Sequence, residues 1–321
     1  MSRPRARYAP SPTGDLHLGN ASSALLAWLS VRAAAGRFVV RVEDLDRARS
    51  RQELVPRILD DLAWLGLDWD EGPDRGGPHA PYEQWRRLER YEAALAELQR
   101  ADRVYPCFCS RRDVAAAASA PQLPGDEVRY PGTCRELDSA RARRRIAAGE
   151  PHALRFRVPR GARVEFDDIV HGRVVDPAGT PTGDFVVRRA DGVPAYQLAV
   201  VVDDAAMKIT EVVRGDDLLP STARQLLLFE ALGVAPPRFG HVPLLLGPDG
   251  VRLAKRHRGS SVGELRERGL DAGKLVGRLA ERLGLTANGD PVRPSELVSG
   301  FSLARLRAAP GGILIDPTGW S

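Results

Sequence analysis

Near the amino end, a short apolar strand over residues 5–9 runs into the turn Pro10-Ser-Pro-Thr-Gly-Asp-Leu-His-Leu-Gly-Asn20. A helix over 21–35 and a second apolar strand over 37–42 follow. Two buried strands joined by one helix close as a right-handed parallel βαβ unit. The chain is thereby directed toward a doubly wound, Rossmann-like α/β sheet, with its ligand crevice at the carboxyl ends of the strands. The turn leads directly into the helix, whose first N–H groups lack intrahelical partners and carry the positive end of the dipole. A phosphate can sit there, and glycine at position 19 removes the Cβ that would meet it. An ordinary strand-to-helix loop has the same outline, so the turn alone does not choose.

The second strand closes in Arg41-Val-Glu43-Asp44-Leu-Asp46-Arg47. Glu43 and Asp44 would stand beside the same crevice as Ser11 and His17, unless they serve only as the acidic start of a helix. Apolar spacing predicts helices over 52–65, closed by Gly66, and over 85–100. A compact stretch from Val104 to Asp113 leads into an Ala-rich helix, then a Pro/Gly-rich loop over 121–125. Short strands are expected over 154–175, then a hairpin turning at Asp191-Gly192. Residues 194–203 fit a buried helix or a strand. A strand over 209–213 ends in Arg214-Gly-Asp-Asp217, a helix covers 222–232 up to Gly233, and a strand covers 242–246 before the turn Gly247-Pro-Asp-Gly250. The remainder holds two or three short helices.

Three cysteines are too few for a disulfide framework in a chain of 321 residues. Cys107-Phe-Cys109 and Cys134, with Tyr130 close by, would suit a tetrahedral zinc. His79 and His152 are other sources of a fourth ligand, and three buried structural cysteines are the plain alternative. The basic turn Arg252-Leu-Ala-Lys255-Arg256-His257 contains no acid, and Lys208, Lys255 and Lys274 are the only lysines. A lysine on such a turn can neutralise a transferring phosphoryl group, or the turn is a solvated basic loop. No Ser-His-Asp or Cys-His pair is suggested, and no GxxxxGK[ST] loop is present. A net charge of +5 with pI about 9.4 admits a polyanionic partner without requiring one. No apolar run approaches the roughly 20 residues of a membrane span. The start Met-Ser-Arg-Pro-Arg has no apolar signal core, so a cytoplasmic protein is expected.

Taken in order, the motifs resemble the class I aminoacyl-tRNA synthetases of the glutamate branch. Arg7-Tyr-Ala-Pro-Ser-Pro-Thr-Gly-Asp-Leu-His-Leu-Gly19, Arg41–Asp46, Leu65-Gly-Leu-Asp-Trp-Asp-Glu-Gly-Pro73, Tyr196-Gln-Leu-Ala, Val213–Leu219 and His241-Val-Pro-Leu carry the likeness. Arg252-Leu-Ala-Lys255-Arg256 stands where the family's lysine loop belongs. Asn20 replaces the second histidine of the general class I signature, and Arg252 and Ala254 replace a lysine and a serine of the loop. Within the branch, the set is most similar to the truncated members, which glutamylate the queuosine base at the wobble position of tRNA(Asp). Those carry a Cys-x-Cys…Tyr-x-x-x-Cys zinc site that Cys107, Cys109, Tyr130 and Cys134 match.

The resemblance implies ATP-dependent, tRNA-independent activation of L-glutamate to glutamyl-adenylate, with Mg²⁺ accompanying ATP, and transfer to queuosine. It implies that Arg7, Ala9, Ser11, Glu43, Tyr196 and Arg214 line the glutamate pocket. His17, Gly19, Asn20 and Lys255 would bind ATP, with His17 and Lys255 catalytic. One structural Zn²⁺ and a monomer are expected. The implied layout is a first catalytic half over 1–102, an inserted zinc-bearing subdomain over 103–190, a second catalytic half over 191–260, and a short helical region over 261–321 without an anticodon-binding domain. Two alternatives stand beside this: a minimal enzyme charging tRNA(Glu), and an inactive synthetase-like RNA-binding protein.

Overall fold

The computed structural model describes residues 3–110, 112–114, 130–176, 182–253, 261–306, 309, 311–316 and 320. Strands β1 (Arg5–Tyr8) and β2 (Arg37–Val40) pair in parallel, Arg7 opposite Val39 and Tyr8 opposite Val40. The helix between them, α1 (Leu18–Ala33), starts three residues earlier than its apolar pattern suggested. His17 is extended, at φ −93° and ψ 162°, and forms the N-cap, so Gly19 and Asn20 lie within the first helical turn. Gly36 closes the unit: a Cβ there would lie 2.3 Å from the Pro4 carbonyl oxygen, so the return into β2 admits no side chain.

Helix α2 (Leu54–Trp64) ends before Gly66, which takes the left-handed conformation at φ +80°. A 3₁₀ turn, Gln84–Arg87, leads into α3 (Leu88–Arg100), splitting the single helix expected there. Strands β3 (Val104–Cys107), β4 (Ala153–Phe156) and β7 (Phe185–Arg188) form an antiparallel sheet of their own, with α4 (Ser139–Ala147) between β3 and β4 in the chain. Behind it lies a small core of Tyr105, Cys107, Val114, Tyr130 and Cys134. Most of the expected Ala-rich helix and all of the 121–125 loop lie outside the described residues.

Strands β5 (Glu165–Asp168) and β6 (Gly172–Val175) form a hairpin. Residues 165–175 were expected to belong to the insertion. Instead β5 pairs in parallel with β9 (Arg238–Val242), Asp168 opposite Phe239. The large sheet therefore runs β2-β1-β8-β9-β5-β6, with β8 at Glu211–Gly215 and only β6 antiparallel. This mostly parallel α/β sheet is the expected class of fold.

Residues 194–203 resolve as a helix, α5 (Tyr196–Ala206), and α6 (Leu219–Ala231) follows β8. The apolar stretch 242–246 is the end of β9 and the two-residue strand β10 (Leu245–Leu246). Helices α7 (Val262–Glu267), α8 (Ala272–Arg282) and α9 (Pro294–Leu297) and strand β11 (Ile313–Leu314) complete the chain. Val262, Leu265, Leu275, Val276 and Leu279 share one core with Leu25, Leu29, Ile58 and Leu62. Helix α1 is apolar on nearly every side because it lies between the sheet and these carboxyl-terminal segments.

Candidate active site

The crevice opens at the carboxyl ends of β1, β2 and β8. Beyond β1 the backbone stays zipped to the segment after β2: Arg41 N–H donates to the Tyr8 carbonyl at 3.0 Å and Glu43 N–H to the Pro10 carbonyl at 2.9 Å. Half-buried Ala9 and exposed Ser11 are thereby held alongside Glu43. Asp44 turns elsewhere, accepting from Gln52 Nε2 at 2.8 Å and Trp85 N–H at 3.1 Å, and braces the loop.

Behind these residues lies a buried ionic cluster. Arg41, fully buried, donates to Asp204 at 2.5 Å and to Glu43 at 3.1 Å. Against the cost of burial, Asp204, Asp203 and Glu43 hold its charge above the ordinary arginine range. Arg7 Nε lies 3.5 Å from the same oxygen of Asp204, Oδ1, and has no hydrogen-bond partner among the described residues. Burial raises the Glu43 carboxyl, while Arg41 and Arg7 pull it back. Arg214, the penultimate residue of β8, has a buried Nη1 that is likewise unpartnered among the described residues. Tyr196 opens α5 at the mouth of the crevice, 37% exposed, within electrostatic reach of Arg214, Glu43 and Arg7. Arg7 and Arg214 thus each keep one N–H without a hydrogen-bond partner among the described residues, and both act electrostatically on the Glu43 carboxylate. The arrangement suits a ligand with two anionic groups and one cationic group.

At the start of α1 there is no acidic residue in the first turn and no side-chain cap. Asn20 and Ala21 N–H both donate to the His17 carbonyl at 2.9 Å, which leaves the Gly19 N–H without an intrahelical partner. His17 Nδ1 is buried without a partner among the described residues. Burial, reinforced by Arg252, depresses its pKa to about 4, so the ring is neutral near pH 7. Among the described residues, a Cβ on Gly19 would meet only the His17 ring, at 3.4 Å. The fold itself does not demand glycine there, so the open space is available to a ligand.

Lys255 lies outside the described residues, but both flanks of its loop are placed. Arg252 bridges to Leu246 and pairs with Asp217, three residues beyond Arg214. Ser261 bridges to His17, and Val262 N–H donates to the Leu16 carbonyl at 2.7 Å.

In the smaller sheet, Cys107, Cys109 and Cys134 have sulfurs within 4.8 Å of one another. Cys109 and Cys134 Sγ are 3.6 Å apart, and the Tyr130 hydroxyl is 3.4 Å from Cys107 Sγ and 3.8 Å from Cys109 Sγ. A tetrahedral ion at ~2.3 Å from sulfur and ~2.0 Å from oxygen spaces its ligand atoms about 3.5–3.8 Å apart, and these three separations match that spacing. Against the effect of burial, hydrogen bonds from Tyr130 and from Arg155 Nε, 3.2 Å from the sulfur, lower the Cys107 thiol, whereas burial raises the Tyr130 hydroxyl, over whose ring Arg155 lies. His79 and His152 are engaged elsewhere: His79 is influenced by Glu71 and Arg5, and His152 contacts the Glu150 carbonyl and Arg188.

Sequence reasoning did not single out Arg41, Asp204, His241 or Asp168 as site residues. Two adjacent acids, Asp203-Asp204, inside an apolar helical run were the signal available. Buried carboxylates of that kind require partners.

The family model described as tRNA synthetases class I (E and Q), catalytic domain, matches residues 4–299. The chain belongs to that family and is a ligase of the aminoacyl-tRNA synthetase kind. It is 55% identical, over 95% of its length and 94% of the relative's, to a protein from Symbiobacterium thermophilum named Glutamyl-Q tRNA(Asp) synthetase. A Nitratidesulfovibrio vulgaris protein of the same name is 48% identical over the same shares of each chain. The crystal structure of a glutamate tRNA ligase from Elizabethkingia meningosepticum, in complex with its amino acid, superposes with a TM-score of 0.85 at 29% identity, covering 99% of this chain and 68% of that one. No helix among the described residues is long and apolar enough to cross a membrane.

Proposed function

We propose that the protein activates L-glutamate with ATP and transfers it to the queuosine base of tRNA(Asp). The observation that carries the amino-acid assignment is the convergence of two buried guanidinium groups on Glu43: Arg214, whose Nη1 has no partner among the described residues, and Arg7, whose Nε has only the 3.5 Å ion pair with Asp204. Glutamate brings two carboxylates and an ammonium to that set, with Tyr196 at the mouth, Ala9 and Ser11 along the strand end, and Glu43 pairing the amine. Glutamine would leave one buried guanidinium without an anion, a penalty of several kcal/mol. His17, Gly19 and Asn20 at the start of α1 receive the phosphates of ATP with its Mg²⁺. The α-carboxylate attacks the α-phosphorus, forming glutamyl-adenylate, and pyrophosphate leaves past Lys255. A queuosine hydroxyl then displaces AMP. The reading includes activation without tRNA, a monomer and a cytoplasmic location. Cys107, Cys109, Tyr130 and Cys134 would hold one structural Zn²⁺ that ties the short loops of the inserted subdomain together.

Support for the acceptor comes from likeness to relatives carrying that name over nearly their full length. The test offers radiolabelled glutamate with tRNA(Asp) bearing or lacking queuosine, and with tRNA(Glu). Label is expected only on queuosine-bearing tRNA(Asp). Label confined to tRNA(Glu) would establish the minimal tRNA(Glu)-charging reading instead.

A further inference from the structure

Arg214 is held on two of its three nitrogens. Its Nε donates to His241 Nε2 at 3.1 Å, and its Nη2 donates to Thr222 Oγ1 at 2.8 Å and the Leu218 carbonyl at 3.4 Å. Among the described residues nothing bonds Nη1, which remains for a ligand.

Whether that edge stays aimed depends on His241. Its Nε2 can accept from Arg214 only when it carries no hydrogen, since an N–H there would face the N–H of Arg214. The Thr222 hydroxyl, 3.0 Å from the same nitrogen, already accepts from Arg214 Nη2, so its own hydrogen is free to turn to Nε2. The ring hydrogen must therefore sit on Nδ1, and Asp168 Oδ2, 2.6 Å away, accepts it. The His241 and Asp168 side chains are fully buried. Asp168 Oδ1 is itself fixed by Val170 N–H at 2.9 Å and His171 N–H at 3.0 Å. Burial, aided by Arg214 and opposed by Asp168, depresses the His241 pKa to about 4, so the ring is neutral near pH 7.

The three side chains come from three adjacent parallel strands. Arg214 on β8 is in register with His241 on β9, and Asp168 closes β5 beside them. A carboxylate placed directly on Arg214 would consume the charge a substrate carboxylate needs. A neutral imidazole between them transmits orientation and leaves the guanidinium charge available.

We propose that Asp168 and His241 are positioning residues for the amino-acid pocket, locking the Arg214 guanidinium so that its Nη1 edge faces a substrate carboxylate. The inference rests on Arg214 being a glutamate ligand. Asp168→Asn is the sharpest probe. Its Oδ1 keeps the backbone contacts, while its amide donates to His241 Nδ1 and drives the hydrogen onto Nε2, against Arg214. His241→Gln keeps an acceptor near the Nε2 position and has no tautomer to lose.

Glutamate-dependent ATP–pyrophosphate exchange and calorimetric glutamate binding are measured on the full chain. D168N should raise KM and Kd for glutamate roughly tenfold, the weight of one misaligned hydrogen bond to a charged group, with KM for ATP within about twofold of wild type. In the H241Q background the same substitution should have less than about a third of that effect. Glutamate parameters unchanged by D168N, or an equal rise for ATP, overturn the positioning role while leaving the glutamate reading intact. A wild-type chain that neither activates nor binds glutamate overturns both.

Discussion

Arg41 donates to Asp204 at 2.5 Å across 163 positions of sequence. This pair joins the end of β2 to α5 and lies behind both Glu43 and Arg7. Replacing Arg41 with Met leaves Asp203, Asp204 and Glu43 buried around a missing cation. The expected loss is about 3–5 kcal/mol of unfolding free energy, read by urea denaturation. A loss under about 1 kcal/mol would mean that the cluster is not held by charge.

Gly19→Ala separates fold from ligand. Among the described residues the new Cβ meets only the His17 ring, at 3.4 Å, and alanine favours a helical turn by ~0.5–1 kcal/mol. The variant should melt slightly higher than wild type while its KM for ATP rises severalfold. Unchanged ATP affinity would remove this turn from the phosphate site.

Lys255→Ala should cut glutamate-dependent ATP–pyrophosphate exchange by roughly 10²-fold or more, in kcat, with KM for glutamate little changed. Its loop departs from Arg252 beside Asp217 and returns at Ser261 beside His17, so both flanks lie at the crevice. Undiminished exchange would take the lysine out of the mechanism.

Cys134→Ser should reduce bound zinc, measured by atomic emission, to well below one ion per chain. It should lower the melting temperature, because the ion would join β3 to the segment after it. Equal metal content in variant and wild type would refute the Cys107–Cys109–Tyr130–Cys134 site.

Asp61 tests the pH dependence. Burial, and the neighbouring Asp15, raise its pKa from 3.8 to about 6, against Arg266 and Arg57. Between those values the folded chain binds more protons than the unfolded one, so this group's contribution falls as pH rises from about 4 to 6 and is then flat. Asp61→Asn should gain about 1–3 kcal/mol over wild type at pH 7, with the difference vanishing near pH 4. An equal gain at both pH values would assign the effect to packing.

Much of the site is legible in the chain because its signals are local. The strand-turn-helix at residues 5–35, the Arg41–Asp46 strand end, Arg214 beside two acids and the Cys107–Cys109 pair each lie within a few residues, and backbone periodicity reports such arrangements. The start of α1 was misjudged by three residues because the apolar pattern does not show His17 in the capping conformation.

Partners across the sheet were not legible. The stretch 154–175 reads as short strands but does not name their neighbours, so β5 was expected in the insertion, whereas it pairs with β9. That pairing brings Asp168 to His241, 73 positions away, and β8–β9 register brings His241 to Arg214. Hydrogen-bond distance between such groups follows from strand order and register, which depend on burial of whole faces rather than on adjacent residues. The sequence therefore names the charged groups that meet a substrate, while the packed sheet assigns each one the buried group that holds it in place.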